Sequence, residues 1–261
     1  MASISNLPPW LCGVIIVSIF VFLALIGLLM FRRLIAGRLR LTEEMNDDII
    51  FFASAIGVFY SLTVGLIAVG VWTTYTSVEN TVSAEATAIG CFYRDISGYP
   101  EPVRTALQKE VRDYTVFLLD EAWPAQHRGQ SLDATTRRLS TLEQQLVQFE
   151  PATIGQQVLH AETLHQYNEV ASMRRQRLNA IGSGLPSVMW SVVLIGAFLT
   201  ISVTYLLKIQ PGVHFVLTAF FAMFIGLVVF VIASLDQPLS GPLAIDSRPY
   251  QLVLDRLIDL K

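Results

Sequence analysis

Residues 53–65 read ASAIGVFYSLTVG. Every fourth position is small: Ala53, Gly57, Ser61 and Gly65. The stretch lies within 49–74, an apolar run with no charged residue. About 20 apolar residues suffice to cross a bilayer as a helix, so this run is read as a membrane span with one face nearly bare of side chain. Two uses of such a face stay open. Small-x-x-x-small spacing lets helix backbones approach closely in lipid, and the same spacing on several copies of one helix can surround an axis and leave a pore. The opposite face, with Ile56, Tyr60, Val64 and Trp72, is read as lipid or core contact, or as an apolar constriction of the kind that gates by dewetting.

Working outward, three more runs meet the same criterion: 10–31, 187–207 and 213–235. The first has no basic region before it and no cleavage pattern, so it is read as a retained helix and not a signal peptide. Of the 261 residues 53% are hydrophobic and only 15% charged, against about 25% charged in soluble domains. The sequence therefore describes an all-α membrane protein with four transmembrane helices. The net charge of −3 and the lack of a basic arm exclude nucleic acid as a partner. Arg32, Arg33, Arg38 and Arg40 follow the first span, and Lys208 lies between the third and fourth. The positive-inside rule then places the N-terminus outside and residues 75–185 in the periplasm of a bacterial inner membrane. Arg174, Arg175 and Arg177, with Arg248, Arg256 and Lys261, weigh the other way.

The segment 75–185 is polar, with 10 basic and 13 acidic residues. Apolar positions continue from the second span through Val71, Tyr75, Val78, Val82, Ile89, Phe92 and Ile96 at heptad spacing, broken at Glu85. The second span is thus expected to run on as one amphipathic rod to SGYPEP at 97–102. Further helices are expected from Val103 to a stop at Trp123-Pro124, from a cap at Ser131 through Phe149, and from Pro151 to Ile181. The division is 1–74 for the first two spans, 75–185 for an extramembrane helical bundle, 186–235 for the last two spans and 236–261 for a C-terminal tail.

Several polar residues invite a role. Glu44, Asp47 and Asp48 stand at the start of the second helix. With Thr42 or Asn46 they suit a helix N-terminus, or form an acidic ring attracting cations at a symmetric mouth. Glu85 at a core position needs a cation, with Arg94, Arg174, Arg175 or Arg177 available. Asp236, closing the fourth span, braces a turn or holds an ion. His160 and His165 are five apart and do not share a helix face, His214 reads as interfacial, and no metal or other cofactor is expected. Cys12 and Cys91 make no disulfide framework. No nucleophile elbow, P-loop or dinucleotide motif is present, so an enzyme is not expected. The spans carry no charge in their middle thirds, which weighs against a proton-coupled carrier.

The motifs together resemble the bestrophin-like family of bacterial membrane proteins. The segment EEMNDDIIFFASAIGVFYSLTVGLIAVGVW is similar to the family's second-helix signature through Asn46, Gly57, Tyr60 and Trp72. EATAIGCFYRDISGYP resembles a further element through Glu85, Tyr93, Arg94 and Pro100. DEAWPAQHRG matches through Trp123, Pro124 and Gly129, RRQRL with GLPSVMW through Arg177, Leu178, Pro186 and Trp190, and LDQPLSG through Asp236, Pro238 and Gly241. Met45 stands where the family pattern has His, and Leu239 where an aromatic is usual. The resemblance implies likeness to bestrophins, which are oligomeric anion channels with the second helix lining an apolar neck. The acidic calcium clasp of the animal proteins is not seen. The expected function is a homo-oligomeric ion channel of four or five subunits in a lipid bilayer, with inorganic ions as cargo. A non-transporting sensor or scaffold whose helical domain binds a partner protein is the alternative.

Overall fold

The computed structural model describes residues 8–39, 41–241 and 243–259. Arg40 and Lys261, both used in the charge balance above, lie outside the described residues. All regular structure among them is helical: α1 (Pro9–Leu34), α2 (Ala36–Leu39), α3 (Asn46–Ile96), α4 (Val103–Phe117), α5 (Trp123–His127), α6 (Asp133–Val147), α7 (Ile154–Asn179), α8 (Ser187–Thr204), α9 (Pro211–Leu235) and α10 (Arg248–Val253). Four of these, α1, α3, α8 and α9, are long and apolar enough to cross a membrane. The chain divides into two compact units: Met1–Thr73 with Gly184–Asp236, and Thr74–Ser183 with Gln237–Lys261. The unbroken helix α3 contributes to both.

In the first unit α1 packs along α9. Close approach needs small residues: a Cβ on Gly226 would lie 3.2 Å from the backbone of Val17, and one on Gly13 would lie 3.2 Å from the Phe230 ring. A polar chain ties the ends of three helices. Arg32 donates from Nη2 to His214 Nδ1 at 2.9 Å, and His214 Nε2 lies 2.9 Å from the Thr204 carbonyl. A guanidinium has only donors, so Nδ1 accepts and the Nε2 proton goes to Thr204. Asn46 does not cap α3. Its amide makes a two-way pair with the backbone of Lys208, donating to the carbonyl at 3.1 Å and accepting from the N–H at 2.9 Å. Each bond contributes about 0.5–1.5 kcal/mol. Asn46→Ala is therefore expected to lower the thermal midpoint of the detergent-solubilised protein by a few degrees, and Asn46→Asp by less, since it keeps the acceptor.

The second unit is a helical bundle with a core from Val78 on α3 through Leu107, Val111 and Tyr114 on α4 to Tyr167 and Val170 on α7. Leu239, Ile245, Tyr250 and Ile258 share that core, so the segment read as a tail belongs to the bundle. Leu239 is 2% exposed, a packing residue where the family's aromatic is absent. Three helix ends differ from expectation. The helix does not stop at Trp123-Pro124. Leu118–Ala122 forms one wide π-helical turn in which the Trp123 N–H reaches the Leu118 carbonyl, and this turn lets the helix continue past Pro124, which has no N–H to donate. Ser131 does not cap α6; Leu132 occupies that position. Thr153, not Pro151, begins α7, accepting from the Gln156 N–H at 3.2 Å.

Candidate functional site

The membrane part of α3 has three sectors. At about 100° per residue, Tyr60, Val64, Ile67 and Val71 fall within about 60° of one another. This sector faces the chain's own helices: Val64 is 3% exposed and Val71 4%. Tyr60 donates to the Val193 carbonyl on α8 at 3.2 Å, and a Cβ on Gly196 would lie 2.5 Å from its ring. Tyr60 and Val64 therefore do not lie opposite the small residues. They stand beside Gly57, and they pack the protomer itself. A second sector holds large exposed side chains, Phe52, Phe59, Leu62 and Leu66, each more than 60% exposed, as a lipid contact requires.

Between these lies a third sector of small residues. Ala53 and Gly57 are half-buried at its edge, and Ser61 and Gly65 are exposed. A Cβ on Gly57 or Gly65 would meet nothing within 4 Å. Ser54, Ala68 and the 56% exposed Trp72 fall on the same line. Ser54, Ser61, Gly65, Ala68 and Trp72 are spaced by seven, four, three and four, in the manner of a heptad seam. The strict four-residue repeat drifts about 40° per step and crosses from the packed edge to the bare one. The hydroxyls of Ser54 and Ser61 are turned to their own helix, donating to the carbonyls of Ile50 at 2.7 Å and Val58 at 3.0 Å. The open wall is thus small and weakly polar. Of the acidic residues, Glu44, Asp47 and Asp48 are all exposed, and only Asp47 lies on the line of this sector.

Asp236 does not brace its own turn. Its carboxylate accepts from the Leu185 N–H at 2.5 Å and the Trp190 indole N–H at 3.1 Å, fixing the segment that enters α8. Gly184 is constrained there, because a Cβ would lie 3.2 Å from the carboxylate.

In the bundle, Glu85 finds its cation in Arg177, both fully buried. Nε donates to Oε2 at 2.6 Å and Nη2 to Oε1 at 2.9 Å, a two-toothed fork. Nη1 donates to Gln126 at 2.6 Å, and the hydroxyl of Tyr250 to Glu85 at 3.0 Å. Tyr114 reaches the same carboxylate at 3.5 Å. Burial, then the Glu85 charge, pushes both phenols up, so they remain protonated donors. Burial alone would lower Arg177, but Glu85 outweighs it and the guanidinium is held charged. The π-helical turn sets this geometry, bringing Trp123 over the guanidinium and Gln126 beside it. The other candidates go elsewhere. Arg174 donates to the hydroxyls of Thr135 and Thr136, Arg175 to the Ala171 carbonyl, and Arg94 stays exposed near Asp95.

Two bundle histidines give the unit an acid limit. Burial lowers His127, opposed by the Ile245 carbonyl and Asp246, and burial lowers His160, whose Nδ1 lies 2.6 Å from the Tyr99 hydroxyl. A histidine depressed in the fold binds its proton more readily unfolded. Its contribution is complete above the ordinary value of 6.5 and is lost as pH falls through the depressed one. The thermal midpoint should fall between pH 7.5 and 5.5, and His160→Gln should flatten that slope. An unchanged slope would contradict the assignment. Among the described residues no cluster of histidine, cysteine or carboxylate could hold a metal ion.

The chain matches the family model of the bestrophin-like domain over residues 18–250. No curated protein matches it. Among solved structures, a bacterial bestrophin homologue from Klebsiella pneumoniae carrying a point mutation is similar at a TM-score of 0.68 and 12% identity, over 95% of this chain and 99% of that one. The homologue solved by zinc phasing gives 0.65 and 12% over 95% and 99%. A variant described as a membrane protein gives 0.68 and 12% over 95% and 97%.

Proposed function

The chain belongs to the bestrophin-like family, and on that premise we propose that it is a homo-oligomeric ion channel of four or five subunits in the bacterial inner membrane, with α3 of each subunit facing the axis. The observation that carries this reading is the bare sector of α3. A wall of Ser54, Ser61 and Gly65, edged by the half-buried Gly57 and Ala68, is left open by the chain's own helices, between a packed sector and a lipid sector. Lipid contact favours large apolar side chains, which the neighbouring sector supplies. A sector this bare fits close approach of identical helices around a narrow axis. Trp72 lies on the same line and narrows it, and Asp47 supplies charge at the mouth. Tyr60 and Val64 act by holding α3 to α8, and Asn46 by holding α3 to the loop before α9.

The N-terminus outside and the bundle in the periplasm follow from Arg32, Arg33 and Arg38 after α1. Arg174 and Arg177, which weigh against that orientation, are buried in the bundle. Transport without catalysis accords with the motifs. Native mass spectrometry of the detergent-solubilised protein tests the assembly. A single closed ring of four or five copies is expected. A monomer or dimer leaves no axis, and the bundle would then be read as a sensor or scaffold.

A further inference from the structure

We propose that the end of α1 carries a binding site for the headgroup of an anionic phospholipid. The site requires only that α1 cross a bilayer, and it holds whether or not the chain conducts. An open cavity of about 520 Å³ is lined by Leu29, Met30, Arg32 and Arg33. Its two halves suit an amphiphile. Leu29 and Met30 are 54% and 56% exposed and offer an apolar wall to an acyl chain. One turn further on, two guanidiniums stand where a phosphodiester would emerge at the membrane surface.

Arg32 is held in place but not neutralised. One nitrogen donates to His214, an uncharged acceptor fixed by its own bond to Thr204, and the guanidinium carbon lies 5.5 Å from the centre of the Phe215 ring. Among the described residues neither Arg32 nor Arg33 pairs with a carboxylate. Two adjacent cations near the hydrocarbon without a counter-ion call for an external anion. A guanidinium fork matches phosphate oxygens.

The chain beyond α1 points to the same surface. Leu34, Ile35 and Leu39 are exposed at 56%, 44% and 47%, and they lie beside Arg33 and Arg38 in the chain. Exposed apolar residues interleaved with arginine suit a segment lying in the headgroup layer. A soluble phosphate would use the arginines but not Leu29 and Met30. A second copy of the chain would have to bring a carboxylate to this place. Lipid is the one occupant that matches both halves.

The test uses the full-length protein in a neutral detergent. Native mass spectrometry counts adducts of dioleoyl phosphatidylglycerol and of dioleoyl phosphatidylcholine, which share acyl chains and differ in net charge. The wild type should retain the anionic lipid at least about fivefold more than the zwitterionic one, and Arg33→Gln should lower anionic-lipid occupancy by about fivefold, the typical effect of one basic residue at a membrane surface. Arg33 makes no side-chain bond among the described residues, so this variant leaves the fold intact. Its retained thermal midpoint and unchanged phosphatidylcholine binding check that point. Equal retention of the two lipids, or no effect of Arg33→Gln, overturns the proposal. Displacement of the lipid by millimolar inorganic phosphate makes the site one for a soluble anion. Lipid binding by the dissociated subunit alone makes it an interface between copies.

Discussion

Replacing Arg177 by methionine is expected to destabilise the bundle severely while leaving the membrane helices in place. Glu85 is fully buried, and among the described residues Arg177 is the cation that forms a salt bridge with it. Removing one partner of a buried pair leaves a charge that water cannot reach, at a cost of about 3–5 kcal/mol. For a unit of this size the melting midpoint should drop by about 10–20 °C. The tyrosines soften the loss by continuing to donate, so Tyr250→Phe in the wild-type background should cost less, about 1–3 kcal/mol. Glu85→Leu combined with Arg177→Met should recover only part of the loss: no buried charge remains, but Gln126, Tyr250 and Tyr114 lose the partners they have in the wild type. Fluorescence of Trp123, which packs against Tyr250 with ring centres 5.4 Å apart, reads the transition. A single variant as stable as the wild type would mean that the pair does not hold the bundle.

The second large effect concerns α3. Ser61→Trp and Gly65→Trp should each abolish both ring assembly and ion flux into liposomes. Each places a bulky indole on the bare sector. Loss of about 1.4 kcal/mol at one contact weakens association tenfold, and a ring multiplies that loss over every interface. The control lies on the same helix. Leu66→Trp, one position further on and in the lipid sector, should leave assembly and flux unchanged. If Leu66→Trp and Gly65→Trp behave alike, the sectors carry no functional distinction.

Much of this architecture is legible in the sequence. Runs of about 20 apolar residues identify the four spans. Heptad spacing from Val71 to Ile96 gives the unbroken course of α3. Glu85 at a core position announces a buried cation, but four arginines could serve, three of them about 90 positions away. The choice of Arg177 depends on α7 packing beside α3, a tertiary fact. Proline is ambiguous: Pro124 reads as a stop, and only the wide turn at Leu118–Ala122 shows how the helix absorbs it. The small residues stand out in the sequence at a period of four. That period drifts around the helix, so it groups Ala53 with Gly65 and sets Tyr60 on the opposite side. A period of 3.5 instead selects Ser54, Ser61, Gly65, Ala68 and Trp72. The clamp from Asn46 to Lys208 leaves no local trace, because both bonds go to backbone atoms 162 positions away.

The most direct test of the central claim is accessibility of position 61 during conduction. Ser61→Cys, in a background with Cys91 replaced by alanine, is reconstituted and exposed to a charged, membrane-impermeant thiol reagent while current is recorded. Phe59→Cys, about 200° away around α3 in the lipid sector, is the control. If α3 faces a conducting axis, modification at position 61 blocks most of the current and the reagent leaves the control unaffected. Current that persists after position 61 has been modified would place the ion path elsewhere and contradict the account.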